Sequence, residues 1–146
     1  MINNIGWQGK YEIYSNGELI DTIYNRITNQ AITVFRDVLK GTSASYAISH
    51  IAIGTSSAAV TGAETQLGAE IFRTPDVSQI DVSFQEIKTA FVVLDLEAVG
   101  TWQEIGIFAN GTATANSGFL LSRILFTKVK SANEEITVYR YDSFNK

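Results

Sequence analysis

The chain opens with two runs in which apolar and polar residues alternate. In residues 7–14, Tyr11 and Ile13 fall on one side of an extended chain, with polar neighbours on the other. Residues 18–24 alternate in the same way. Asn16-Gly17 lies between the two runs, and this dipeptide favours a tight turn because both residues tolerate a positive φ. The pattern predicts an N-terminal β-hairpin.

A different spacing follows the hairpin and indicates one helix, Asn29–Lys40. Apolar residues recur there at intervals of three and four, which predicts a single stripe packed against the rest of the protein. Thr28 or Asn29 is suited to cap the helix N-terminus, and Gly41 is suited to the left-handed position after its end. The predicted stripe consists of Ala31, Val34, Phe35, Val38 and Leu39.

From Tyr46 onward the pattern predicts strands separated by turns of small or polar residues. Two segments of small polar residues, 55–65 and 112–118, are expected to be flexible loops. The predicted strands cover residues 47–54, 67–73, 77–88, 89–96, 100–108, 119–130 and 134–141.

Many strands and one helix favour a mainly β fold, either a β-sandwich or a barrel-like domain, with one packed α-helix. The length of 146 residues suits one domain with one core. We expect residues 1–146 to form that single domain. Within it, we expect the hairpin and helix of residues 1–45 to form a layer and residues 46–146 to form the sandwich.

Composition narrows the classes of partner. The net charge is −4, and the basic residues are scattered, so we expect no nucleic-acid partner, because affinity for phosphates depends on clustered Lys and Arg. The chain has no cysteine, which excludes disulfides and thiol nucleophiles. No apolar run approaches the roughly 20 residues needed to cross a bilayer, so no membrane partner is expected either.

The residues that carry catalytic chemistry form no recognisable set. His50 is the only histidine and is best interpreted as a hydrogen-bonded strand residue. Asp95 and Glu97 are expected to share one face of a strand, but no nucleophile or base accompanies them. The chain contains no nucleophile elbow and no phosphate-binding glycine loop. We therefore predict no catalytic residue, no cofactor, no metal site and no enzyme activity.

Three aromatic residues leave a second interpretation open. Tyr139 and Tyr141 lie two residues apart on the last predicted strand, and Trp102 precedes another strand. Such rings form stacking platforms for sugars in carbohydrate-binding modules, so a glycan is a possible partner. Aromatic residues more often fill a core or a subunit interface, which is the interpretation we favour.

Three segments, in order along the chain, carry a resemblance to a known family. They read Ile51-Ala52-Ile53-Gly54-Thr55, then Glu64-Thr65-Gln66-Leu67-Gly68-Ala69-Glu70-Ile71-Phe72-Arg73, then Trp102-Gln103-Glu104-Ile105-Gly106-Ile107-Phe108. This order resembles the tail-fibre and tail-collar proteins of tailed bacteriophages, over residues 46–142. The chain departs from many of these proteins in having Ser56 where they have a second glycine.

The resemblance implies a structural protein of the virion, made in the host cytoplasm and associated with the tail, the baseplate or fibre attachment. It would bind other virion proteins and form a homo-oligomer, for which a trimer is expected. A capsid decoration or head-fibre protein is the alternative within the virion. Glu70 and Arg73 are expected to form a structural ion pair, and Glu104 is a candidate for a similar role. The residues expected to contact partners lie in the two loops: Thr55, Ser56, Ser57, Thr61, Thr112, Thr114 and Asn116.

Overall fold

The computed structural model describes residues 6–43 and 45–145, and within them it confirms a mainly β fold with one helix. The described residues contain no helix of the length and apolar character needed to cross a membrane. The elements are β1 (Gly6–Ser15), β2 (Glu18–Asn25), α1 (Asn29–Lys40), β3 (Ile48–Gly54), β4 (Glu70–Pro75), β5 (Ser78–Ser83), β6 (Glu86–Val93), β7 (Gly100–Ala109), β8 (Phe119–Lys130) and β9 (Ile136–Asn145).

The strands form two antiparallel sheets that pack face to face around one apolar core. The larger sheet has the order β2-β1-β9-β6-β5 and the smaller sheet the order β4-β3-β7-β8. The alternation along each strand places one set of side chains between the sheets. That core draws on both sheets and on α1, and includes Tyr11, Ile13, Ala31, Val34, Ile51, Ile53, Phe91, Val93, Trp102, Ile105, Ile107, Leu121, Ile124, Ile136 and Val138.

The N-terminal hairpin is present, with its turn at Asn16-Gly17, where φ is 46° and 83°. It does not form a layer of its own, which corrects our division of the chain at residue 45. Strand β1 pairs with β9 over its whole length, from Gly6 opposite Asn145 to Ser15 opposite Ile136. The hairpin is therefore one edge of the larger sheet, because β1 has two hydrogen-bonding edges and the last strand occupies the second.

Residues 77–88, predicted as one strand, form a hairpin instead. Strand β5 ends at Ser83 and β6 begins at Glu86, with Phe84 and Gln85 in the turn. The hydroxyl of Ser83 accepts a hydrogen bond from the backbone N–H of Gln85, which makes a turn without glycine or proline. The regular alternation of Ile80, Val82 and Phe84 indicated one continuous strand with a buried face. In the structure all three side chains are exposed, so this alternation does not mark a buried face.

Helix α1 begins and ends where the sequence indicates. The Oγ1 of Thr28 accepts the N–H of Ala31 at 3.1 Å, and Gly41 adopts φ 68° directly after the helix. Only Ala31 and Val34 of the predicted stripe are buried, whereas the other three apolar side chains are exposed. The prediction of one fully packed stripe is therefore wrong, because the helix crosses the sandwich edge and contacts mainly β8.

We expect Thr28→Ala to lower the free energy of unfolding by about 1–2 kcal/mol, because it removes the N-cap acceptor. The hydroxyl of Thr28, which is almost fully buried, also donates to the carbonyl of Leu120. Urea unfolding followed by circular dichroism measures the difference. Thr28→Ser keeps the hydroxyl and should stay within about 0.5 kcal/mol of the original chain. Equal stability of the alanine variant would contradict the assigned role of the cap.

Candidate interaction surface

The outer face of the smaller sheet carries a row of residues aligned across all four strands. Arg73 lies opposite Ala52, Ala52 opposite Gly106, and Gly106 opposite Arg123. Two long basic side chains therefore stand at the two edges of the sheet, with two small residues between them. The small residues leave space above the middle strands, and the two loops predicted from the sequence fold into this region.

Leu67 fills the space above the middle strands. It comes from the β3–β4 loop (residues 55–69) and packs in a second, smaller apolar cluster with Ala52, Phe108 and Leu120. A Cβ built on Gly106 would lie 2.7 Å from Cδ2 of Leu67, so a larger residue at this position would have to displace the leucine side chain. The β3–β4 loop is thus part of a packed layer over the sheet.

Glu104 joins the β3–β4 loop to the sheet through its carboxylate, which is fully buried. This carboxylate accepts the backbone N–H groups of Gly68 at 3.0 Å, Ala69 at 2.8 Å and Ser56 at 3.2 Å. It also accepts the Nε of Arg123 at 2.6 Å. Burial raises the pKa of Glu104, but the hydrogen bonds from Arg123 and from the three backbone groups outweigh it and hold the pKa below its usual value.

Arg123 extends this Glu104–Arg123 cluster along the same loop. Its Nη1 donates to the carbonyl of Ala58 at 2.8 Å and lies 3.7 Å from the carboxylate of Glu64. Glu64 in turn accepts the N–H groups of Thr61 and Gly62, each at 2.7 Å. Burial raises the pKa of Glu64, but the hydrogen bonds from these backbone N–H groups outweigh that effect, so the net shift is downward.

Glu70 and Arg73 form an ion pair in which Nε and Nη2 of the arginine reach Oε1 and Oε2 at 2.6 and 2.9 Å. Both side chains are almost fully buried. The remaining nitrogen, Nη1, donates to the carbonyls of Thr112 and Ser117 at 3.1 and 3.0 Å. Glu70 also accepts the N–H of Asn116 at 3.0 Å. This Glu70–Arg73 cluster therefore holds the β7–β8 loop (residues 110–118) on the same sheet face.

Both loops were expected to be flexible, and the structure shows both anchored by a buried carboxylate–arginine pair. The loop segments are held in place because their backbone N–H and carbonyl groups form hydrogen bonds with the side chains of Glu70, Arg73, Glu104 and Arg123. Ser56 is half buried beside Gly68. The other predicted contact residues are exposed on the anchored loops: Thr55, Ser57, Thr61, Thr112, Thr114 and Asn116.

Sequence reasoning missed Arg123 and Leu67 as members of this surface. Arg123 interrupts the otherwise apolar run FLLSRILF of β8, and a charge at such a position signals a buried partner. Leu67 follows a polar loop and looked like the first residue of a strand. The structure begins β4 only at Glu70, because the carboxylate of Glu104 takes the N–H groups of residues 68 and 69.

The candidate chemical residues do not converge on a site. His50 is half buried, with Nδ1 at 3.1 Å from Oγ of Ser49, and burial and the nearby Arg73 guanidinium both lower its pKa. Asp95 and Glu97 do not share a strand face as predicted, because they lie in the β6–β7 turn. In the described part of the chain, no group of three or more histidine, aspartate or glutamate residues is placed to hold a metal ion.

The three aromatic rings do not form one stacking platform, and Trp102 takes the core position that we favoured for it. Trp102 is fully buried in the main core, and its Nε1 donates to the carbonyl of Ala98 at 2.7 Å. Tyr139 and Tyr141 lie instead on the outer face of the larger sheet. The Nζ of Lys88 lies 3.8 Å from the ring centre of Tyr139, and the Nζ of Lys10 lies 4.2 Å from that of Tyr141.

The outer face of the larger sheet is thus a mixed aromatic and charged surface. Burial and the neighbouring Glu12 carboxylate raise the pKa of Tyr141 to about 12, so this tyrosine is protonated at neutral pH. The lysines cover one side of the two rings, which leaves less ring surface for a sugar to stack on.

Comparison with known proteins adds no family: no family model, no curated protein and no solved structure matches the chain.

Proposed function

We propose that this chain is a structural protein of a tailed-bacteriophage virion, associated with the tail, the baseplate or fibre attachment. In this role it binds other virion subunits and forms a homo-oligomer, with three copies as the expected number. The observation that carries the proposal is the place of the three resembling segments in the structure.

Those segments build one unit on the outer face of the smaller sheet. The first contains Gly54, where an added Cβ would lie 2.3 Å from Oε1 of Glu104. The second supplies Leu67 and the Glu70–Arg73 pair, and the third supplies Glu104 and Gly106. The segments therefore contain the residues that hold the two exposed loops in place. A chain that shares this pattern presents its loops on the same face, which is what subunit recognition by loops requires.

The buried polar groups also fit a structural role. Within the described residues, every buried side-chain nitrogen and oxygen has a hydrogen-bond partner. Such complete pairing rigidifies a fold and leaves no unpartnered acid or base of the kind that active sites present. Lys128 and Lys130, the most closely spaced basic residues in the sequence, are paired as well. Lys128 contacts Glu134 at 2.7 Å, and Lys130 donates to the backbone carbonyls of Leu94 and Asp95.

Two measurements test the proposal. Light scattering of the purified chain across a concentration series should show a stable oligomer of the 16.0-kDa subunit. Mass spectrometry of purified particles should detect the chain, and immunogold labelling should place it on the tail. A chain that stays monomeric at high concentration and is absent from particles would rule the proposal out, and labelling of the head would favour a capsid decoration protein.

We expect a charge added to either anchored loop to weaken incorporation into particles without loss of stability. Ser57→Lys and Thr114→Lys each place a lysine on an exposed loop position and should lower incorporation roughly tenfold, because the new charge is desolvated on binding. Thr137→Lys, on the other sheet's outer face, is the matched control. Equal incorporation of all three variants would show that the loops do not contact partners.

A further inference from the structure

The β6–β7 turn (residues 94–99) presents apolar side chains outward. Leu96 is 81% exposed, and Leu94 and Val99 are each about half exposed. The turn is nevertheless well held: the Nζ of Lys130, itself buried, donates to the carbonyls of Leu94 and Asp95 at 2.9 and 2.8 Å. A rigid turn loses little conformational entropy on binding, so its exposed leucines are suited to enter an apolar groove.

An apolar groove of about 330 Å³ lies elsewhere on the same chain. The outer side of α1 supplies Ile32 and Phe35, and the ends of β1 and β9 supply Trp7 and Phe144, whose ring centres lie 5.5 Å apart. Ile27 completes the lining. Ile32 is 60% exposed, which is high for an isoleucine beside such a cavity, so the groove is open to a side chain from outside.

The turn and the groove lie at opposite ends of the larger sheet. Val93, next to the turn, pairs with Ile136 at the start of β9, whereas Trp7 of the groove pairs with Phe144 near its end. At ~3.4 Å per residue, the strand from Ile136 to Phe144 spans roughly 27 Å. One copy therefore cannot fill its own groove, and the two surfaces are placed for contact between successive copies.

The charges around the two surfaces have opposite signs. The turn carries Asp95, which is exposed, and Glu97. Three exposed basic residues lie beside the groove lining: Arg26 next to Ile27, Arg36 next to Phe35, and Lys40 farther along α1. One acidic residue, Asp37, lies among them and contacts Arg36 at 3.1 Å. The basic residues around the groove thus outnumber the acidic ones, and the turn carries the opposite charge.

We propose that the β6–β7 turn of one copy inserts into the groove of the next copy, head to tail. Leu96 is the inserted side chain, and Asp95 faces the basic residues beside the groove. The inference rests on the proposed homo-oligomeric role and specifies its interface. A contact between two different surfaces repeats from copy to copy, and it closes into a ring, such as the expected trimer, when the rotation between copies allows it.

The test uses one variant in each surface and a mixture of the two. Leu96→Asp and Ile32→Asp change exposed residues, so both chains should fold, which circular dichroism verifies. Each should dissociate at concentrations where the original chain is oligomeric, with association weakened on the order of 100-fold. Ile71→Asp, a similar change at a 52% exposed position on β4, is the matched control and should keep the oligomer.

An equimolar mixture of the two variants retains one intact turn and one intact groove. Light scattering should therefore find a heterodimer of twice the chain mass and nothing larger. If the original chain is oligomeric and both variants keep its mass, or if the mixture stays monomeric, this contact is wrong while the homo-oligomeric role stands. If the original chain is itself monomeric throughout the series, the homo-oligomeric role fails as well.

Discussion

Replacing Asp142 with alanine should lower the free energy of unfolding by about 3–5 kcal/mol, the cost of leaving a buried charge without its partner. Asp142 and Arg140 lie between the two sheets and are almost fully buried. The carboxylate accepts Nη2 of Arg140 at 2.8 Å and Nε1 of Trp7 at 2.8 Å. Without it, the buried guanidinium loses its charged acceptor, and the indole N–H of the half-buried Trp7 loses its acceptor as well.

The rest of the Arg140 environment cannot replace the lost carboxylate. Nη1 already donates to Asn25 at 2.7 Å and to Ser122 at 2.9 Å. The guanidinium also packs against the backbone of β1, where a Cβ on Gly9 would lie 2.0 Å from Nη2. Because both the space and the neighbouring acceptors are used, the arginine has no second arrangement that restores a charged partner.

Thermal and urea unfolding measure this effect, with Asp81→Ala as the matched control. Asp81 is exposed on the edge strand β5, and its loss should change stability by less than about 0.5 kcal/mol. The double variant Arg140→Met, Asp142→Ala should be more stable than the sum of the two single changes predicts, because it removes the unpaired charge. A single variant within about 1 kcal/mol of the original chain would show that Arg140 finds another partner.

The local parts of the fold were predictable because their signals lie close together in the sequence. Asn16-Gly17 specifies the first turn, and Thr28 and Gly41 specify both ends of the helix. The pairing of β1 with β9 was not predictable, since alternation shows that a strand has two faces but does not identify its neighbour. The turn after Ser83 escaped detection because a serine hydroxyl stabilises it and no glycine or proline marks its position.

Of the two ion pairs on the candidate surface, one was expected from the sequence and the other was not. The pairing of Glu70 with Arg73 was expected from the resemblance and not from spacing, because residues three apart on a regular strand face opposite sides. Arg123 and Glu104 lie on different strands. Burial of either charge could be expected only once the register of β7 and β8 was known to bring the two side chains together. Burial of a charge depends on its partner, and that partner is a property of the fold rather than of the local sequence.

Glu104→Ala should lower the free energy of unfolding by about 3–5 kcal/mol and release the β3–β4 loop from the sheet. Arg123 would keep a buried guanidinium without its carboxylate. The backbone N–H groups of Ser56, Gly68 and Ala69 would lose their acceptor at the same time. Hydrogen exchange should therefore accelerate at Gly68 and Ala69 by more than the loss of global stability explains.

The same carboxylate should make stability depend on pH. Its pKa in the folded protein lies below the ordinary value of 4.5, so its contribution is complete above about pH 4.5 and is lost as the pH falls through the folded pKa. Glu104→Gln cannot ionise, so the stability gap between it and the original chain should stay constant from about pH 6 to 8 and narrow in acid. Glu18→Gln, at an exposed position, should follow the original chain throughout.

The Glu104→Gln variant also tests whether binding to partners depends on the anchored β3–β4 loop or only on the stability of the fold. A chain with Glu104→Gln that is still folded at neutral pH presents Thr55, Ser57 and Thr61 on a loop that has lost its charged anchor. If the anchored loop is the contact surface, incorporation into particles should fall further than the folded fraction does. Incorporation that simply follows the folded fraction would assign the Glu104–Arg123 cluster to stability alone.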